Sequence, residues 1–455
     1  MLRERVRRVH FVGIGGIGMS GIAQILLEMN YEVSGSDLKE NKNTRLLKEK
    51  GATLYIGHRA ENVSDEVQVV VYSSAVREDN PEILKAKELG IPIIPRGEML
   101  AELFKLKEGI AVSGSHGKTT TTSMIAHILE EAGFDPTVII GGILQRLGSN
   151  AKLGKGELLV SEADESDGSF LKLSPAVAVV TNIDKEHLDY YRNLEEIVSA
   201  FSRFCQSVPF YGFCAVNGDD KNVLKAVRET TKKVVTFGVG EKVHVRGVNL
   251  RIEEGRYVFG VSAYGKLMGE VHLAIGGRHN VYNALASTAV ALELGVPFRK
   301  IKEALESFKN AERRMEFKGF VNGAPVYDDY GHHPTEMKAV INTLREMYPK
   351  KRLILVFQPH RFSRTYFLFE DFVKVLSLPD KVFLIDIYPA SERNTYGVSA
   401  RELARRSGAV FVGNKEDIHS ILLEEISEED VLLFMGAGDI TRLCEDFVRK
   451  SPKMC

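Results

Sequence analysis

Gly114-Ser115-His116-Gly117-Lys118-Thr119-Thr120 lies between an apolar run, GIAVS, and a helical pattern, TTTSMIAHILEEAG. Glycines let backbone N–H groups approach phosphate oxygens, and a helix N-terminus favours their negative charge. Lys118 adds a cation, and a Thr hydroxyl can hold Mg2+. Strand, loop and helix in this order predict a nucleoside triphosphate site. The loop is shorter than GxxxxGK[ST], with Val112 where the first Gly would fall. A Gly turn that merely caps a helix is the plainer alternative.

Three further groups carry side chains that could do chemistry. Glu162-Ala163-Asp164-Glu165-Ser166-Asp167-Gly168 follows ELLVS, and a carboxylate at the end of an α/β strand points toward the ligand crevice, where it could meet the metal carried by ATP. A solvated acidic loop would look the same. Thr181-Asn182-Ile183-Asp184 closes the next run and leads to His187, a candidate ligand for a second Mg2+ or for the γ-phosphate, or else a surface residue. Asp328-Asp329-Tyr330-Gly331-His332-His333-Pro334-Thr335-Glu336 and Gln358-Pro359-His360-Arg361-Phe362-Ser363-Arg364 form the third group. Arg361 and Arg364 could clamp a small carboxylate, and His332 could orient or deprotonate an amine.

Near the start, Gly13-Ile14-Gly15-Gly16-Ile17-Gly18 satisfies GxGxxG after a strand, with Asp37 ending the next one. The motif recognises a pyrophosphate, so a UDP-sugar or NAD would serve equally, and an NAD-dependent oxidoreductase is a rival reading. Ser73 and Ser74, again after an apolar run, add hydroxyls to the same crevice.

These groups need a scaffold, and the rest of the chain supplies one. Val- and Ile-rich runs alternate with longer amphipathic stretches, the pattern of parallel sheets covered by helices, so the class is α/β. The alternation restarts, predicting three domains: a Rossmann-like one over residues 1–107, a P-loop-type ATPase over 108–312 and a second Rossmann-like one over 313–455. Residues 234–275 read as shorter strands between Gly turns. At 455 residues the chain exceeds one core. Its 60 basic and 61 acidic side chains, net charge −1, give no nucleic-acid or membrane footprint. Cys205, Cys214, Cys444 and Cys455 lack CxxC spacing, which suits a reducing cytoplasm. The uncharged stretch from Phe11 to Leu27 is interrupted by five glycines, so it predicts strand, loop and helix rather than a signal or membrane segment.

Taken in this order, the motifs resemble the Mur ligase family, ATP-dependent amino-acid ligases of peptidoglycan synthesis. HFVGIGGIGMSG, EADESD, GRHNVYNALA, DDYGHHPTE and FQPHR carry the resemblance across all three domains, and Ser115 stands where the family loop has Thr. The resemblance implies ligation of L-alanine to the lactyl carboxylate of UDP-N-acetylmuramate through an acyl phosphate, in a cytoplasmic monomer or homodimer using Mg2+ or Mn2+. A tripeptide-recycling member of the family is the alternative; it tends to carry Ala where Gly331 stands. By the same resemblance, Gly13 to Gly18, Asp37, Ser73, Ser74, Arg313 and Arg314 would bind the UDP-sugar. Thr119, Glu162 and His187 would hold the metal, and His279, Asn280 and Asn283 would lie near adenine. Tyr330, His332, His360, Arg361 and Arg364 would form the amino-acid site, with Lys118, His332 and Arg314 catalytic. Substrates on separate domains imply domain closure before chemistry.

Overall fold

A computed structural model describes residues 6–451 apart from 74, 145–148, 188–189, 254–255, 310–312 and 391. Ser74 and the boundary expected at 312 lie outside the described residues. The fold is mixed α/β with three sheets.

The first sheet is all parallel. It holds β1 (Arg8–Val12), β2 (Glu32–Asp37), β3 (Thr53–Ile56), β4 (Val69–Tyr72) and β5 (Ile93–Pro95) in the order β3-β2-β1-β4-β5. The strand order reverses between β1 and β4. In α/β sheets such a reversal is where ligands bind, outside the C-terminal strand ends.

The second sheet has ten strands: β6 (Glu108–Ser113), β7 (Thr137–Leu144), β8 (Ser149–Lys152), β9 (Leu158–Glu162), β10 (Val177–Val180), β11 (Phe213–Asn217), β12 (Lys233–Gly238), β13 (Val245–Glu253), β14 (Arg256–Ala263) and β15 (Lys266–His272). Their order is β15-β14-β13-β12-β11-β10-β6-β9-β7-β8. Ile110, Ala111 and Val112 of β6 are fully buried, as are Ala178, Val179 and Val180 of β10. Their unbroken apolar runs follow from burial on both faces of a parallel sheet. Because β6 lies between β9 and β10, the three segments that follow these strands emerge side by side.

The third sheet holds β16 (Glu316–Val321), β17 (Ala324–Asp329), β18 (Arg352–Phe357), β19 (Lys381–Leu384), β20 (Val410–Phe411) and β21 (Asp430–Met435), in the order β16-β17-β21-β18-β19-β20. Only β16 runs antiparallel to its neighbour.

The chain packs as two compact units. One comprises Met1–Asn249, Phe259–Val271 and Tyr282–Ala311; the other comprises Leu250–Val258, His272–Val281 and Glu312–Cys455. Within the first unit the opening sheet is fastened to the second. Gln24 donates to Ala151 O at 2.8 Å and accepts from Ser149 Oγ at 2.6 Å, and Arg96 meets Asp164 at 3.0 Å.

Candidate active site

In the first unit the loop after β6 enters the helix Lys118–Glu131 through Gly117, at φ 83°, with no side chain capping the helix. A helix N-terminus reached through a glycine in this way presents its positive dipole end to an anion. Two glycines are required by close approach: a Cβ on Gly114 would collide with Thr181 Oγ1, and one on Gly117 would lie 2.6 Å from Asn283 Oδ1. The segment after β10 clamps the loop. His116 N–H donates to Asn182 Oδ1 at 2.8 Å, while His116 O accepts from Thr181 Oγ1 at 2.6 Å and Asn182 Nδ2 at 3.0 Å. Ser115 Oγ accepts from Asp184 N–H at 2.8 Å. A Thr would offer the same oxygen, which is why Ser is a mild change here.

Lys118 Nζ donates to Gly114 O at 2.6 Å and to Glu165 Oε1 at 2.7 Å. Burial opposes its charge, but Glu165 and Asp164 outweigh burial and hold its pKa above the ordinary lysine value. Glu165 is nearly inaccessible. Burial again opposes ionisation, and Lys118 and His187 overcome it, so its carboxyl lies below the usual range. His187 Nε2 is 3.4 Å from Glu165 and 3.7 Å from Glu186, and its pKa is raised against burial by Glu165. Its φ of 55° is uncommon for a residue with a Cβ, a local strain of the kind that collects at functional sites.

Glu165, Glu186 and His187 bring donor atoms within 4.8 Å of one another. Two carboxylates and an imidazole suit a hard divalent cation. Of the residues expected at the metal, His187 belongs to this group and Glu162 does not: its carboxylate accepts Gly141 N–H at 2.7 Å. Thr119 is buried in the first turn of the helix, as is Thr120. Sequence reasoning named Glu165 only as one of the acids in its run, without singling it out, and passed over Glu186 beside His187. Asn283 accepts from Thr121 Oγ1 at 3.1 Å and lies against Gly117. His279 and Asn280 precede it on the helix Arg278–Glu293 but fall in the second unit, where Asn280 donates to Gly276 O at 2.6 Å.

The crevice of the first sheet gathers Gly13 to Gly18, Asp37 and Ser73. Gly13 and Ile14 N–H both donate to Ser36 O at 2.9 Å, and Gly15 N–H donates to Asp37 Oδ2 at 2.8 Å. Ser73 N–H donates to Val12 O, and its Cβ faces Gly13. The helix Ile17–Glu28 then starts at Gly16 with no acidic residue in its first turn.

In the second unit, β17, β18 and β21 aim their C-terminal ends at one place. Arg313 and Arg314 both lie over the Tyr330 ring, 5.0 and 5.4 Å from its centroid, cation–π distances. Arg313 also donates to Gly436 O and lies 3.5 Å from Asp328, while Arg314 is 3.9 Å from Glu336. His332 Nδ1 meets Tyr330 O at 3.1 Å; a carbonyl only accepts, so the proton is on Nδ1 and Nε2 keeps its lone pair. His360 has the opposite tautomer, because its Nδ1 faces Arg364 Nη1 at 3.3 Å and a guanidinium only donates. Its ring stacks on Tyr388 at 5.5 Å and lies 5.7 Å from that of His332. Burial, then the charge of Arg364, pushes His332 well below 6.5 and His360 to about 3. Burial pushes Asp329 up to about 6 while it accepts Gly331 and Met315 N–H at 2.7 and 2.8 Å. Arg313, Met315 and Arg361 all have positive φ. Arg361 is fixed by its N–H to Tyr388 O at 2.8 Å. Tyr388 was invisible in the sequence, since only the bridge between His360 and Tyr388 brings it here.

Comparison with known proteins agrees along the whole chain. The Mur ligase family catalytic domain matches residues 8–108, the Mur ligase middle domain 112–291 and the Mur ligase glutamate ligase domain 313–438. The chain is 67% identical to the UDP-N-acetylmuramate–L-alanine ligase of Aquifex aeolicus, over 99% of each chain. It superposes on the crystal structure of the UDP-N-acetylmuramate–alanine ligase of Thermotoga maritima with a TM-score of 0.84, at 32% identity, over 97% of this chain and 98% of that one. A Neisseria ligase that acts with UDP-N-acetylmuramate and a tripeptide matches less well, with a TM-score of 0.63 at 30% identity, over 68% of this chain and 100% of that one. Three family domains matched in order, and a relative this similar from end to end, make the chain a member of the Mur ligase family.

Proposed function

We propose that the chain uses ATP to join L-alanine to the lactyl carboxylate of UDP-N-acetylmuramate in peptidoglycan synthesis. The observation that carries this reading is the 67% identity, spread over 99% of both chains, to a ligase of that name. A carboxylate is a poor acyl donor, so the reaction needs two steps. A carboxylate oxygen bonds to the γ-phosphorus as the bond to ADP breaks; the amine then adds to the acyl carbon, and the tetrahedral intermediate expels phosphate, which takes up the proton that the amine gives up as the amide forms.

The site residues take these roles in the proposal. Lys118, kept charged by Glu165, stabilises the transferring phosphoryl group from the loop Gly114 to Thr120. Asn283 borders that loop, and His279 and Asn280 extend the same helix toward adenine. A divalent cation supplies charge compensation at the phosphates. His187 with Glu165 and Glu186 is the group whose geometry fits it, and Thr119 and Glu162 complete the set implied by resemblance. Gly13 to Gly18, Asp37 and Ser73 take the UDP end, with Arg313 and Arg314 toward the sugar and the reacting phosphate. Arg361 and Arg364 hold the amino-acid carboxylate. His332, neutral and with Nε2 free of its own proton, accepts a hydrogen bond from the amine.

The division at 107 and 312 would give each domain one substrate. No helix among the described residues is long and apolar enough to cross a membrane. A cytoplasmic reaction is part of the proposal, because ATP and a UDP-sugar are its substrates.

The tripeptide-recycling reading meets a steric objection. A Cβ on Gly331 would lie 2.8 Å from Asp329 Oδ1, the oxygen its own N–H bonds, and 3.1 Å from Met435. Alanine there would require the buried Asp329 to move. Phosphate release measured with UDP-N-acetylmuramate and ATP across single amino acids and the tripeptide tests the choice. L-alanine should give the highest kcat/KM, and a preference for the tripeptide would overturn it. Oxygen-18 in the substrate carboxylate should appear in the released phosphate; its absence would rule out the acyl phosphate.

A further inference from the structure

We infer that Arg96 reads the diphosphate of the UDP-sugar and, by exchanging Asp164 for that anion, links occupancy of the sugar crevice to occupancy of the nucleotide loop. The inference rests on the reading of Gly13 to Gly18 as the UDP-sugar loop. Everything it uses lies in the first unit.

Arg96 opens the helix Arg96–Phe104 directly after β5. Its guanidinium lies against the first turn of the helix Ile17–Glu28: a Cβ on Gly18 would meet Arg96 Nη1 at 2.9 Å and Cδ at 3.2 Å. That turn is the positive end of the helix dipole, with no acidic residue in it. A cation there is repelled by the helix until an anion joins it. In this structure its ion-pair partner comes from the other sheet: Arg96 Nη2 donates to Asp164 Oδ2 at 3.0 Å.

Asp164 is the chain neighbour of Glu165, whose Oε1 accepts from Lys118 Nζ at 2.7 Å. Two consecutive carboxylates therefore hold one cation from each loop, Arg96 beside the Gly loop and Lys118 in the loop Gly114 to Thr120. The helix that carries Arg96 has little room to shift, because a Cβ on Gly97 would lie 2.5 Å from Ser169 Cβ. The response to a ligand is a side-chain rotation. A diphosphate at the Gly loop competes for the guanidinium with charge-assisted hydrogen bonds. Once Arg96 turns to it, Asp164 loses its ion-pair partner, so positive charge brought with ATP to the neighbouring Glu165 and Lys118 would meet one more free carboxylate. UDP-sugar and ATP therefore tighten each other's binding, reciprocally.

The test is calorimetric titration of the full chain with UDP-N-acetylmuramate and with the magnesium complex of a non-hydrolysable ATP analogue, each alone and with the other saturating. In the unsubstituted protein, each ligand should tighten the other by about tenfold. Arg96→Ala should weaken UDP-N-acetylmuramate by about 10- to 100-fold and abolish the coupling, and Arg96→Lys should recover part of the affinity. Asp164→Asn is the decisive variant, since it removes the competitor for Arg96. It should bind UDP-N-acetylmuramate alone about threefold tighter or better while losing the coupling. A merely structural ion pair would weaken binding in both variants. Unchanged sugar affinity in Arg96→Ala, or weakened affinity in Asp164→Asn, overturns the inference. If the unsubstituted protein fails to bind UDP-N-acetylmuramate at all, the reading of the Gly loop falls as well. Should Arg96→Ala not fold, Arg96→Lys and Asp164→Asn decide alone.

Discussion

The nucleotide loop of the first unit and the Tyr330–His360 cluster of the second solve opposite electrostatic problems. Around the loop, charges face opposite ones: Lys118 with Glu165, His187 with Glu165 and Glu186, Arg96 with Asp164. In the second unit Arg364, Arg361 and Arg313 bear on two imidazoles, which burial and these charges strip of their protons. A region already neutralised from within suits a ligand carrying charges of both signs, as a metal–ATP complex does. A region where arginines face uncharged imidazoles suits, under the proposed function, an anion such as an amino-acid carboxylate.

The largest effect should come from the first region. Lys118→Ala should lower kcat by about 1,000-fold or more through loss of transition-state stabilisation, while calorimetry shows UDP-N-acetylmuramate still bound. Loss of both would erase the division of labour between loop and crevice. Next comes the second region, where Arg364→Ala should raise the KM for L-alanine by about 10- to 100-fold and leave that for ATP within about threefold. Equal rises for both substrates would remove the reason to call this cluster the carboxylate site.

Smaller effects test the opposed signs by pH. His332 and His360 have depressed pKa values, so between pH 7 and 5 the native state binds fewer protons than the unfolded one and stability falls on acidification. His187 has a raised pKa: its contribution is fully present below about 6.5, the unfolded histidine value, and fades as pH rises through its folded pKa. Thermal unfolding at pH 5 and pH 7 should therefore show a smaller acid loss in His360→Gln and a larger one in His187→Gln. The same direction in both variants would end the contrast between the regions.

Legibility differed by region for physical reasons. The loop Gly114 to Thr120 stood out because its glycines, its lysine and the helix start are consecutive in the chain. The strands bearing the candidate residues were readable too, since burial on both faces leaves apolar runs such as GIAVS and RLILVF. The strands that escaped lacked that signal. β3 and β20 are short and partly exposed, β7 and β8 pair as an antiparallel hairpin at the end of the sheet, and β17 hides behind the two aspartates that close it. Glu165 was not distinguished from its neighbours for a different reason. In a run of acids the sequence cannot say which carboxylate turns inward, and only packing set Glu165 on Lys118 and Glu162 on Gly141.

The sequence by itself determined the α/β class, the phosphate loop, the order of the motifs and, through their resemblance, the family, because each is written in contiguous residues. The tertiary structure alone decided which charges meet. Tyr388 under His360, Arg96 on Asp164 and the two histidine tautomers depend on segments brought together by strand order, and burial, which sets every shifted pKa here, exists only once the sheets have packed.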